Sequence, residues 1–209
     1  AADLAAALGR CCPEHAIDLA GAVPVQGPAP HAEAWRQWLD DGLHGDLEYL
    51  PRTRDERADP RLCNPEVQSM LVFAQRYTDG WPQQDQAAGW LAGVARYARG
   101  ADYHDVLLRS VRRVLADLRT TWPDLVAYPA TDTGPYLERD WAEAAGLGYV
   151  GRNTNLIHEA LGSGLVLAIA PSNLRVTDLA AAPTPLYEVA PRGRLPRPAR
   201  RRHAAGRHR

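Results

Sequence analysis

Hydrophobic positions recur along this chain in two rhythms. Steps of three and four residues predict helices over 2–9, with Leu4 and Leu8 on one face, and over 31–41, with Trp35, Trp38 and Leu39 on one stripe. The same steps predict a long helix over 102–121, where Tyr103, Leu107, Val111, Val114, Leu115 and Leu118 recur and Asp102 is placed to cap the start. Short apolar runs predict strands at 17–23, 69–77, 90–97, 125–128, 154–158 and 165–170. Pro135 at a first helical position opens another helix, which Gly146 closes, as Gly42 closes the one over 31–41. A loop over 24–30, a helical turn over 43–50 and an exposed, charged, proline-bounded loop over 51–60 complete the pattern. Strands and helices interleave without a repeat, so the expected class is α/β or α+β.

The chain's 209 residues suit one domain or one and a half. Its apolar share is mostly Ala and Leu, with one Phe and one Met, and all 24 basic residues are Arg. No apolar run nears the ~18 residues a membrane span needs. No basic flank precedes an apolar run at the N-terminus, so no secretory signal is expected. Cys11, Cys12 and Cys63 form no CxxC pair and are odd in number, which points to reduced thiols in a cytoplasmic protein. Charge is split. All 25 acidic residues lie at or before Glu188, whereas residues 191–209 carry arginines and no acid.

Three segments invite chemistry. Gly146-Leu147-Gly148-Tyr149-Val150-Gly151 matches GxGxxG, but it follows a predicted helix and leads into extended chain, the reverse of a dinucleotide site. Its glycines serve a cap and turn, or let a flat ligand approach. Asp102-Tyr103-His104 resembles the start of the DxHxxG signature of corrinoid mutases, but Leu107 stands at the glycine position, which argues against His104 as a cobalt ligand. Asp132, read as lying at a helix mouth, is either a cap or a general acid. A general acid needs a raised pKa, hence an apolar cover that disfavours the anion. Walker A, HExxH, GxSxG and cysteine–histidine metal spacings are missing, and no metal site is expected. The six tryptophans are read as core rather than as a stacking platform for nucleic acid.

Several segments, in order, resemble the epoxyqueuosine reductase family: 38–50 with Arg57 to Arg61, 95–104, and Thr131 to Ser163, whose core is Asp132-Thr133-Gly134-Pro135 running on to Gly148-Tyr149-Val150-Gly151-Arg152-Asn153. The resemblance covers about residues 14–179. It implies the N-terminal cobalamin-binding catalytic domain of an oxidoreductase in queuosine biosynthesis, with a nitroreductase-like or reductive-dehalogenase-like fold, a mixed sheet flanked by helices. It also implies base-off cobalamin and, as substrate, epoxyqueuosine in a tRNA anticodon stem-loop. Asp132 would be the acid that protonates the departing oxygen. Asp102, Tyr103 and His104 would be polar pocket residues, with Gly148, Tyr149, Val150, Gly151, Arg152 and Asn153 against the corrin. Arg152 replaces a usual lysine, Tyr149 a usual tryptophan, and Pro171-Ser172-Asn173 an acidic, apolar strand end.

After residue 179 the resemblance breaks. The family implies two four-cysteine 4Fe-4S clusters, yet no cysteine follows Cys63, and an Arg/Pro-rich tail over 180–209 takes their place. That tail is read as disordered and as an out-of-frame product of the cluster-coding segment. The rival reading is a real basic tail that grips RNA phosphates. The chain by itself is expected to bind cobalamin weakly or not at all, and to lack turnover with a physiological reductant. A corrinoid carrier or processing protein and an RNA-binding fragment are the alternatives. The electron donor is not legible.

Overall fold

The computed structural model describes residues 3–77, 93–176 and 187–188. Helix α1 (Leu4–Glu14) starts at Asp3, whose side chain accepts from the Ala5 N–H at 2.9 Å. It runs five residues past the predicted end, because Cys11 and Cys12 continue the buried stripe begun by Leu4, Ala7 and Leu8. β1 (Leu19–Pro24) and β2 (Ser69–Arg76) pair antiparallel, as do β2 and β5 (Leu165–Ser172). The sheet order is β5-β2-β1-β6, where β6 is Tyr187–Glu188. That dipeptide lies inside the segment read as a disordered tail; the rest of 180–209 falls outside the described residues.

The sheet is covered on both faces. Alternation sends Ala20, Ala22, Leu71, Phe73, Ala168 and Ala170 to one face, where they pack against α1 and α5 (Tyr103–Thr121). Leu19, Met70, Val72, Ala74 and Ile169 take the other face, against Trp141, Ala142 and Ala145 of the α6 (Glu138–Ala144) region. The helix-flanked sheet expected from the sequence is present, but its described pairings are all antiparallel rather than mixed. Neighbouring strands here run in opposite directions because helices and long loops return the chain to the same end of the sheet.

Asp102 caps α5 as expected, accepting from the His104 N–H at 2.9 Å. Residues 125–130 form bridges that extend the β5 edge, with Ala130 and Ile169 exchanging hydrogen bonds at 2.8 and 2.9 Å. α2 (Ala32–Asp40) matches its predicted helix, and β4 (Leu156–Ile157) is the core of the strand at 154–158. Gly146 closes α6 at φ 77°, with Gly146 N–H to Glu143 O and Leu147 N–H to Ala142 O, a Schellman closure. β3 (Tyr149–Val150) then pairs with β4, so the glycine run follows a helix and enters a hairpin, as the sequence context requires.

Three expectations fail. Residues 51–60 are not an exposed loop but α3 (Tyr49–Arg52), α4 (Arg54–Ala58) and a 3-10 turn over Pro60–Leu62. Tertiary contacts decide this: Ala58 is fully buried, its carbonyl takes the Ala29 N–H at 2.7 Å, and Arg54 grips Asp40 with its two terminal guanidinium nitrogens. Residues 93–97 form turns leading into the 3-10 turn Arg96–Ala98, not a strand, and the remainder of that prediction lies outside the described residues. Pro135 does not open α6, which begins at Glu138. Tyr136 folds back over Gly134, is buried, and accepts from Asn64 Nδ2 at 2.7 Å, so the chain is held out of helical geometry for one more turn.

Candidate active site

The edge of the sheet delivers Asp132. Ala130 is hydrogen-bonded to β5, and buried Thr131 donates its hydroxyl to the Leu167 carbonyl at 2.6 Å. The next residue is pushed outward. Asp132 has φ 53°, and Thr133 N–H closes on Thr131 O at 2.6 Å, a γ-turn with Asp132 at its apex. Because α6 starts six residues later, Asp132 is not at a helix mouth and does not cap one. That corrects the bland reading of this residue.

Two predicted pocket residues, Tyr103 and His104, face Asp132, and a third, Asp102, holds His104. The Tyr103 hydroxyl donates to Asp132 Oδ2, and His104 Nε2 faces that same oxygen at 3.7 Å. His104 Nδ1 lies 2.7 Å from Asp102 Oδ1. That hydrogen bond is the first cause holding the Asp102 carboxyl below its usual range. Burial, then the hydrogen bond to Asp132 and its charge, push the Tyr103 phenol well above its usual value. The four groups converge because Asp102, Tyr103 and His104 form the first turn of α5, which is packed on the sheet through Leu107 and Val111.

Asp132 stands on the wall of an open cleft of about 980 Å³. The cleft floor is the start of β5, Leu165 to Leu167. One wall is a ladder of tyrosines, Tyr77, Tyr97 and Tyr103, packed edge to face at 6.1 and 5.5 Å. Trp35 and Trp38, stacked at 5.6 Å, line the same cleft. These two tryptophans are half-buried and line the cleft, which corrects their reading as core. Trp141 is buried as expected, while Trp81 and Trp90 lie outside the described residues.

The hairpin residues divide. Val150 lines the cleft, as do Thr154 and Asn155, which the sequence did not single out. Gly148 and Gly151 face Ile157 so closely that a Cβ on either would collide with it, so hairpin packing accounts for both glycines. Tyr149, Arg152 and Asn153 are exposed.

Glu138 was missed. It is 9% exposed, and its Oε1 accepts the Asp132 N–H at 2.8 Å. Burial first, and the Asp132 charge next, push its carboxyl up to about 8. The signal was in the sequence: Glu138 stands at the i, i+3, i+4, i+7 spacing of Trp141, Ala142 and Ala145, on the buried face of its helix. Cys11, Cys12 and Cys63 are free thiols, the first two packed on one sheet face and Cys63 on the other. They cannot form the four-cysteine set of an iron–sulfur cluster.

Residues 57–133 match the family model described as "Epoxyqueuosine reductase QueG, DUF1730". The epoxyqueuosine reductase of Synechococcus sp. (strain CC9605) is 34% identical over 168 residues, covering 78% of this chain and 50% of that protein. The enzyme of Gloeobacter violaceus is 35% identical over 153 residues, covering 73% and 46%.

This chain belongs to the epoxyqueuosine reductase family.

It spans about half the length of the curated relatives it matches. The epoxyqueuosine reductase structure from Streptococcus thermophilus superposes with a TM-score of 0.70 at 22% identity, over 90% of this chain and 49% of that one. A reductase solved with an epoxyqueuosine-modified tRNA-Tyr stem loop superposes at 0.63 and 23% identity, over 85% and 46%. The chain therefore has the fold of half of an epoxyqueuosine reductase. Among its described residues, no helix is long and apolar enough to cross a membrane.

Proposed function

We propose that this chain supplies the corrinoid- and substrate-facing half of an epoxyqueuosine reductase, with Asp132 as the proton donor to the departing epoxide oxygen. The observation that carries the reading is the Asp132 carboxyl on the cleft wall, gripped by Tyr103 and faced by His104. One solved relative, from Bacillus subtilis, has its catalytic aspartate loop swung out of the active site. We assign that role here to the exposed Asp132 turn. The relative bound to a modified stem loop supports tRNA as the substrate.

Converting an epoxide to an alkene breaks two C–O bonds, forms C=C, consumes two electrons and two protons, and releases the oxygen as water. Cobalamin, when bound, supplies the electrons to that change. The open cleft, with Leu165, Val166 and Leu167 in its lining, offers an apolar surface to the flat face of such a ligand. Leu165, Leu167 and Val150 would hold the flat ligand, and the tyrosine ladder would exclude water. A ligand seated in the cleft would exclude water from Asp132, the proposed proton donor. Tyr103 fixes which carboxyl oxygen is turned to the reacting centre. Iron–sulfur clusters have no ligands here, and no electron step is assigned to this chain's cysteines.

The test uses the full chain with excess cob(II)alamin, followed by visible absorbance. Epoxyqueuosine stem loop and a chemical one-electron reductant are then added, and the product is read by mass spectrometry. The expected outcome is a base-off spectrum and queuosine formation that falls about 10²–10⁴-fold in Asp132→Asn. A D132N variant as fast as the wild type overturns the reading.

A further inference from the structure

We propose that Glu138 is the positioning residue that pins the Asp132 turn against the cleft, an inference that rests on reading Asp132 as the proton donor. A positive φ is uncommon at a residue with a Cβ, though an aspartate tolerates it better than most, and local restraints select it at Asp132. Here the restraint comes from two sides. Below, the Thr131 hydroxyl is tied to the Leu167 carbonyl. Above, the single Asp132 N–H is taken by Glu138 Oε1 at 2.8 Å. Thr131 is attached to the rigid sheet and Glu138 to the first turn of α6, so the turn is clamped between two fixed elements.

The two carboxyl groups differ sharply in environment. The Asp132 side chain is 56% exposed, whereas Glu138 is almost entirely covered. Burial and the Asp132 charge favour the neutral acid at Glu138; the opposing influences are the Asp132 N–H and the charge of Arg57 on α4. A neutral Glu138 still presents a carbonyl oxygen to the Asp132 N–H without adding a second negative charge beside the proton donor. Glutamine reproduces that arrangement; alanine and aspartate do not.

The experiment follows amide hydrogen–deuterium exchange at Asp132 in the full chain without added cofactor, for the wild type, Glu138→Gln, Glu138→Ala and Glu138→Asp. E138A and E138D, which withdraw the acceptor, are expected to exchange at Asp132 about tenfold faster, the factor one net hydrogen bond supplies. E138Q holds the wild-type rate. If E138A fails to fold, E138D, shorter by one methylene, gives the same reading. Wild-type exchange in both shortened variants overturns the proposal. In turnover, E138A lowers kcat with KM for the stem loop unchanged, and E138Q restores it. Fast exchange at Asp132 in E138A, combined with an active D132N, would leave the clamp standing and remove Asp132 as the donor.

Discussion

Tyr103 donates its hydroxyl to Asp132 Oδ2 across 29 positions of sequence, from the first turn of α5 to a turn beside β5. The bond joins one end of the tyrosine ladder to the exposed carboxyl. It also makes the phenol a reporter of the carboxyl. An ultraviolet phenolate titration of this eight-tyrosine chain should show late steps from Tyr103 and from buried Tyr136. Tyr103→Phe should remove one step, and Asp132→Asn should move the Tyr103 step to lower pH without returning it to normal, since burial remains. A Tyr103 step unmoved by D132N would mean that the contact does not exist in solution.

Glu138 gives the stability of the chain a pH dependence with a definite sign. Its folded carboxyl, at about 8, lies above the usual value of 4.5, so the native state binds more protons than the unfolded chain between those values. Its contribution is complete below pH 4.5 and is lost as pH rises through 8. The loss is on the order of a few kcal/mol. Thermal unfolding of wild type and Glu138→Gln across this window isolates it: the wild-type Tm should fall relative to the variant as pH rises. Parallel curves would refute the assignment.

The same substitution should have opposite effects at two glycines. Gly148 has φ 150°, and a Cβ there runs into the Ile157 backbone, so Gly148→Ala must move one strand of the β3–β4 hairpin. A loss of roughly 1–3 kcal/mol is expected. Gly9, inside α1, has open space around its α-carbon, and Gly9→Ala should gain about 0.5–1 kcal/mol by restricting the unfolded chain. Urea midpoints of the two variants decide it.

Ser69 and Ser172 stand opposite each other on β2 and β5, their hydroxyls 2.9 Å apart and buried. Ser172→Ala strands the Ser69 hydroxyl and should cost about 1–3 kcal/mol, whereas Ser69→Ala should cost less, because the Ser172 hydroxyl still reaches the Ser69 carbonyl at 3.5 Å. The double variant should cost less than the sum of the singles, because two absent hydroxyls leave none unpaired. Additive losses in a double-mutant cycle would show that the pair is not coupled.

The hydrophobic spacing by itself determined the long helix α5, its Asp102 cap, α2, and strands β1, β2 and β5, because each depends on a periodicity carried within one segment. It also determined the Gly146 closure and excluded a dinucleotide site, since both follow from the order of helix, glycines and extended chain. The resemblance placed Asp102, Tyr103, His104 and Asp132 in one site. Tertiary structure decided the rest. The loop over 51–60 became helical because Ala29, Trp35 and Asp40 take up its backbone and side chains. α6 started late because Tyr136 packs back over Gly134, a contact between side chain and backbone that no helical periodicity encodes. Glu138 came to hold the Asp132 N–H, and Thr131 came to be anchored on Leu167, only when α6 and β5 were packed together. A segment's pattern of apolar residues says which face it will bury; the groups that meet on the far side of that burial depend on the other segments.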